Sequence, residues 1–136
     1  MVLIAVILIR RVEIVKERTY FTILSPQAQE VWREGEIREI RWASFGIKKV
    51  RIALAISGYD KGFLGDDGNE FVIAAKPGKY TWKIPSGFVT GFGIPKTEDM
   101  RIRFYDALDG QILGECRFTI QGAHPIYFKE KYLIRG

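Results

Sequence analysis

Cysteine is almost missing from this chain. Its 136 residues include one, Cys116, so no disulfide can close within it, and no cysteine pair is there to hold a structural zinc. Histidine is as scarce. The single ring, His124, precedes Pro125 in a terminal connection. Hydrolytic triads and histidine metal sites need partners oriented around the ring, so His124 is expected to have no catalytic or metal role. Asparagine also occurs once, at Asn69, and methionine twice, in a chain that is 27% charged. That balance resembles a thermophile's composition. There is no apolar run of bilayer length: the longest opens the chain, MVLIAVILI, and stops after nine residues, whereas a helical span needs about 20. Arg10 and Arg11 follow that run, the reverse of a secretory leader. Neither a membrane span nor a signal peptide is expected. Val2, Ile4, Val6, Ile7 and Ile9 are β-branched and favour a strand. The alternative is the stump of a trimmed anchor.

Apolar residues are plentiful, at 47%, enough for a folded core, and the length suits one domain. The formal net charge of +5 permits an acidic partner without requiring one. The apolar residues recur with period two in short segments. Val50, Ile52, Leu54 and Ile56 alternate with Arg51, Ala53 and Ala55. Tyr80, Trp82 and Ile84 alternate with Lys79, Thr81 and Lys83. Met100, Ile102 and Phe104 alternate with Arg101, Arg103 and Tyr105, and Cys116, Phe118 and Ile120 with Glu115, Arg117 and Thr119. Phe21 to Leu24 ends at Ser25-Pro26, where proline cannot donate to a ladder. Ile37 to Trp42 and the short Phe71 to Ala75 complete a set of about seven strands. Pro77-Gly78 and Asp109-Gly110 are turn signals, Ser44-Phe45-Gly46 reads as a turn, and Trp32 and Gly35 fall in a polar connection. No strong helix start and no internal repeat is present. This pattern predicts an all-β antiparallel sandwich, with a core over about residues 20–120 and terminal extensions, 1–19 and 121–136, that add strands.

Several motifs then carry a resemblance. Ser25-Pro26, Val31-Trp32, Gly35, Ile40 and Trp42 open the series; Gly78-Lys79-Tyr80-Thr81-Trp82-Lys83-Ile84-Pro85, Met100-Arg101-Ile102-Arg103-Phe104 and Arg117-Phe118-Thr119-Ile120 follow in order. Together they resemble the immunoglobulin-like domain of the fungal Ser/Thr-rich GPI-anchored and cell-wall glucan-synthesis proteins and its prokaryotic relatives. The chain departs from that pattern in lacking a Ser/Thr-rich tail and in carrying Met100 where a strand-opening tyrosine is expected. The resemblance implies an immunoglobulin-like or fibronectin III-like fold, a surface or secreted setting, and no catalysis.

Four groups of residues are candidate sites. Asp60, Asp66, Asp67, Asn69 and Glu70 could offer oxygens to calcium, but their spacing fits no calcium loop, and Asp67-Gly68 is equally a turn. Phe88, Val89, Phe92 and Ile94 lie on a long glycine-bearing loop and make either a binding tip or a plug for the sandwich end. Lys96-Thr97 follows Gly91 and Gly93, yet Pro95 removes the glycine and N–H that a phosphate loop needs. With the third, sixth and seventh strands sharing a sheet, Arg51, Arg101, Arg103 and Arg117 stand on one outer face beside Glu115. That face would dock anions through planar forks, or would serve only as a charged, soluble surface.

The function expected is therefore a non-catalytic binding or structural module without a cofactor. The alternatives are a carbohydrate-binding module stacking sugars on Trp32 and the loop aromatics, and a nucleic-acid or polyanion binder using the arginine face. Nucleic acid ranks last, because only Tyr105 supplies an aromatic ring there. Trp42 and Trp82 are expected in the core and Trp32 at the sandwich end. Val2, Ile4, Val6 and Leu8 face one way and Leu3, Ala5, Ile7 and Ile9 the other, so a strand here is dry on both faces and must be covered. Part of that cover is expected from the apolar tail, and the rest from a second copy, which makes a homodimer.

Overall fold

The computed structural model describes residues 19–123. Among them are nine strands: β1 (Tyr20–Ser25), β2 (Val31–Arg33), β3 (Ile37–Phe45), β4 (Lys49–Ile56), β5 (Tyr59–Phe63), β6 (Ile73–Ala74), β7 (Lys79–Lys83), β8 (Lys96–Asp106) and β9 (Ile112–Gln121). A smaller sheet has the order β1-β3-β7. A larger one has the order β2-β9-β8-β4-β5, with β6 also on β4. Every pairing is antiparallel except β2 with β9. The two sheets enclose one buried apolar cluster. The chain is an all-β sandwich of the immunoglobulin and fibronectin III kind. Val2, Ile4, Val6, Leu8 and His124 lie outside the described residues.

The period-two segments behave as their patterns require. Val50, Ile52, Leu54 and Ile56 are buried from β4, and Met100, Ile102 and Phe104 from β8. Trp42 and Trp82 are in the core. Three features differ from the sequence expectation. Residues 44–45 continue β3, and the turn begins at Gly46, which sits at φ +80°. The glycine- and aspartate-rich stretch after Ile56 contains β5, a strand exposed at every residue, so it shows no alternation. Residues 31–33 form β2 rather than a connection, and Trp32, expected at the sandwich end, is only 1% exposed. Pairing beside β9, with Trp32 opposite Ile120, turns the indole into the core. There it meets Phe118 at 4.9 Å and Trp82, on the facing sheet, at 6.3 Å between ring centroids.

Two glutamates hold the ends of β2. Before it, the chain passes from one sheet to the other at Ser25-Pro26, whose peptide bond is cis. Glu30 closes this crossing. Its carboxylate accepts from Ser25 Oγ at 3.1 Å, from the Gln27 N–H and from Trp32 Nε1 at 3.3 Å. Cys116 packs against the same crossing, donating its thiol to the Pro26 carbonyl at 2.8 Å. Burial, and then the charge of Glu30, push that thiol up. After β2, Glu34 is 5% exposed. It accepts from the N–H groups of Val89 (2.8 Å), Thr90 (3.1 Å) and Ala123 (3.3 Å) and from Thr90 Oγ1 (2.8 Å). Burial alone would raise this carboxyl; the donors outweigh it and hold the group below the usual carboxylate range. Space is tight here: a Cβ on Gly122 would lie 2.6 Å from Thr90 Cγ2.

Two outcomes follow. Trp32→Ala should cost about 3–5 kcal/mol, as for other buried aromatic truncations, and so rival Trp82→Ala in denaturant titrations. A loss below 1 kcal/mol, the range of ordinary surface changes, would place the indole outside the core. Glu34 has a depressed folded pKa, so its contribution is full above the ordinary carboxylate range and fades as pH falls through and below it. Glu34→Gln should therefore destabilise the protein at neutral pH by roughly 1.5–3 kcal/mol, the worth of charged hydrogen bonds, and by less in acid. Equal losses at both pH values would contradict the assignment.

Candidate functional site

The outer face of the larger sheet is built from the residues that β4, β8 and β9 leave pointing away from the core. Arg101 stands opposite Ala55 on one side and Arg117 on the other. Arg103 stands between Ala53 and Glu115, and Tyr105 opposite Arg51. β5 adds a rim. Its register shifts at Leu54/Ala55, so that both Asp60 (opposite Ala55) and Phe63 (opposite Ala53) border the outer face, although they are three residues apart. A bulge does this by inserting one residue into the alternation. Gly62, at φ +87°, takes the left-handed conformation beside it.

The result is a trough of about 240 Å³ floored by Ala53 and Ala55 and bordered by Asp60, Arg101, Arg103, Tyr105 and Glu115. Phe63 borders its continuation along β5. The Phe63 ring is 42% exposed, stacks on Phe71 at 5.9 Å and meets Tyr105 edge-on at 6.4 Å.

The four arginines share this face but not one charge environment. Asp99 accepts from Arg101 Nε at 2.8 Å and pairs with Arg117 Nε at 3.2 Å. Glu115 accepts from Arg103 Nε at 2.6 Å and pairs with Arg101 Nη1 at 3.8 Å. The hydrogen bond that Arg101 donates to Asp99 raises Arg101 above its ordinary range; those that Arg103 donates to Tyr105 and Glu115 do the same for Arg103. Arg51 stands apart, donating to the Glu70 carbonyl at 2.9 Å and pairing with the Glu70 carboxylate at 3.6 Å. A run of alternating arginine and carboxylate thus crosses β8 and β9, in place of a bare cationic sheet.

The other candidates are dispersed. Asp66 caps the 3-10 turn Asp67–Asn69, its carboxylate accepting from the Gly68 N–H at 2.9 Å, while Asp60 lies on the trough. Among the described residues no three His, Cys, Asp or Glu side chains are grouped to hold a metal ion. Of the long loop, Phe88 and Val89 are buried and Ile94 packs on the core, so they plug the sandwich end. Phe92 is exposed; it stacks on Tyr59 at 6.3 Å, with Lys61 Nζ 4.6 Å above its ring. Burial of Trp32 and Phe88 removes two of the rings expected to stack on sugars. The sequence reading missed Phe63 and the two alanines. Outward Ala53 and Ala55 were visible as a small-residue pair, whereas the placing of Phe63 depends on the bulge.

No protein-family model matches the chain, and no curated protein matches it. Among solved structures it is similar to the fibronectin(III)-like modules of CbhA from Clostridium thermocellum, at 17% identity and a TM-score of 0.41, over 75% of this chain and 94% of that one.

The pairing of the arginines has a measurable consequence. Exposed ion pairs are worth about 0.2–1 kcal/mol each, so Asp99→Ala with Glu115→Ala should leave the fold intact. The freed guanidiniums should then retain the variant on heparin to clearly higher salt than the parent. Unchanged elution would mean that the carboxylates do not mask them.

Proposed function

We propose that this chain is a non-catalytic immunoglobulin-like binding module whose contact surface is the outer face of the larger sheet. The observation that carries this is the alanine-floored trough. Alanine is depleted from strands, where β-branched and aromatic residues pack better, yet two occupy outward positions of a central strand and open a concavity there. Around them stand the exposed Phe63 ring, the half-buried Tyr105 and charged forks, the side chains that anchor recognition surfaces. A cell-surface or secreted setting for such a module is supported by the family resemblance that the motifs from Ser25-Pro26 to Ile120 carry.

Polyanion binding through Arg51, Arg101, Arg103 and Arg117 is the second reading, supported by their common face. The carboxylates of Asp99, Glu115 and Glu70 count against it, because an incoming anion must displace or tolerate them.

A photo-reactive residue placed at position 117, beside the trough on the outer face of the larger sheet, or at position 81, on the outer face of the smaller sheet, tests the contact surface. Exposed to the surface fraction of cells that make the protein, the position-117 form should capture a partner and the position-81 form should not. Capture from position 81 alone, or from neither, would overturn the reading.

A further inference from the structure

We infer that the trough takes a neutral sugar ring, as one unit of a glycan; this rests on the trough being the contact surface. Its lining contains two guanidiniums, Arg101 and Arg103, and two carboxylates, Asp60 and Glu115, so the formal charges cancel. A polyanion would meet carboxylates here, and a polycation would meet guanidiniums. Hydroxyl groups suit the set instead, since each both donates and accepts, and neighbouring hydroxyls match planar two-atom partners. Capacity remains for them. Arg101 Nη1 lies 3.8 Å from Glu115, beyond hydrogen-bonding distance, and Asp60 belongs to none of the ion pairs among the described residues.

Size and apolar surface point to the same ligand. At about 240 Å³ the trough is smaller than the pockets that enclose drug-sized ligands, which suits one sugar ring rather than a folded peptide segment. A sugar ring also has an apolar C–H face, and Phe63 offers an exposed aromatic one at the trough's continuation. Stacking on Phe71 and edge contact with Tyr105 hold that ring in place before any ligand arrives, which lowers the ordering cost of binding. The other places do not combine these features. The depression around Arg51 and Glu70 has no aromatic lining, and the exposed Phe92 ring, with Tyr59 stacked on it and Lys61 over its face, borders no such trough.

Amide chemical shifts of the full chain, titrated with maltotriose, cellotriose and laminaritriose and separately with a heparin oligosaccharide, test this. At least one neutral sugar should shift the amides of Ala53, Ala55, Gly62 and Arg103 saturably, with little effect of salt. Phe63→Ala should weaken that binding roughly tenfold or more, as loss of an aromatic anchor does. Ala53→Leu, which fills the floor and removes no contact, should do the same while the dispersed spectrum of the folded protein persists. Absence of any trough shift with all three neutral sugars would overturn the inference, as would an unaffected Ala53→Leu variant. So would preferential, salt-sensitive binding of heparin at the trough. In each of these cases, selective capture from position 117 would still leave the contact surface standing; loss of both results would remove both readings.

Discussion

Everything in this fold depends on aromatic contact between two sheets that no disulfide joins. Trp32 from the larger sheet meets Trp82 from the smaller one and packs edge-on against Phe118 of its own sheet. Further along, Phe104 from the larger sheet sits 5.2 Å from Trp42 and 4.8 Å from Phe21, both on the smaller. Large rings contribute much apolar area at low rotamer cost, and edge-on geometry adds a favourable quadrupole term. Close approach of the backbones is part of the same constraint. A Cβ on Gly78 would stand 2.6 Å from the Trp42 carbonyl, while the Trp42 amide donates to the Gly78 carbonyl and its indole to Ala75. Glycine there lets the turn before β7 lie against β3 and fixes the orientation of Trp42.

The shortest of the sheet-forming segments around Trp32 is held by charge rather than by length. β2 has three residues, too few to hold a register by ladder bonds alone. Glu30 and Glu34 flank it, and each carboxylate collects several donors. Glu30 fixes the crossing that delivers the chain to the larger sheet. Glu34 joins the end of β2 to Val89 and Thr90 on the plugging loop and to Ala123 beyond β9. A buried carboxylate is costly when unpaired, and this one is tolerated because backbone N–H groups that also need partners surround it. The loop is thereby tied to the sheets, which is why Phe88 and Val89 close the sandwich end instead of forming an exposed tip.

How much of this the sequence disclosed depends on which physical signal each element gives. β4 and β8 are flanked by neighbours and buried on one face, so their alternation is clean and their inward residues were readable one by one. Membership of Arg51, Arg101, Arg103 and Arg117 in a common outer face was readable for the same reason. β2 carries one apolar side chain that matters, between glutamates, and a single tryptophan has no period. β5 is an edge strand with exposed residues throughout, so nothing alternates. The trough inherits that opacity. Its floor belongs to a legible strand, but its rim is set by the register shift at Leu54/Ala55, and its charge state by which carboxylate each arginine reaches. Those are properties of pairing, and neighbouring letters do not encode them.

The same division explains why recognition falls on the outer face. Inward positions of β4 and β8 are filled to the core's shape, and changing them costs stability. Outward positions carry no such load, so their residues are set by solubility or by contact with something else. Solubility accounts for the alternating arginines and carboxylates. It does not account for Ala53 and Ala55, where a threonine would serve a solvated strand better. Phe63 stands beside them, distinguished by its place at the trough rather than by its degree of exposure. Small floor, fixed ring and cancelled charge occur together at one place on the sheet. Each alone is compatible with an ordinary surface; their coincidence is what a built contact site for a polar, uncharged ligand requires.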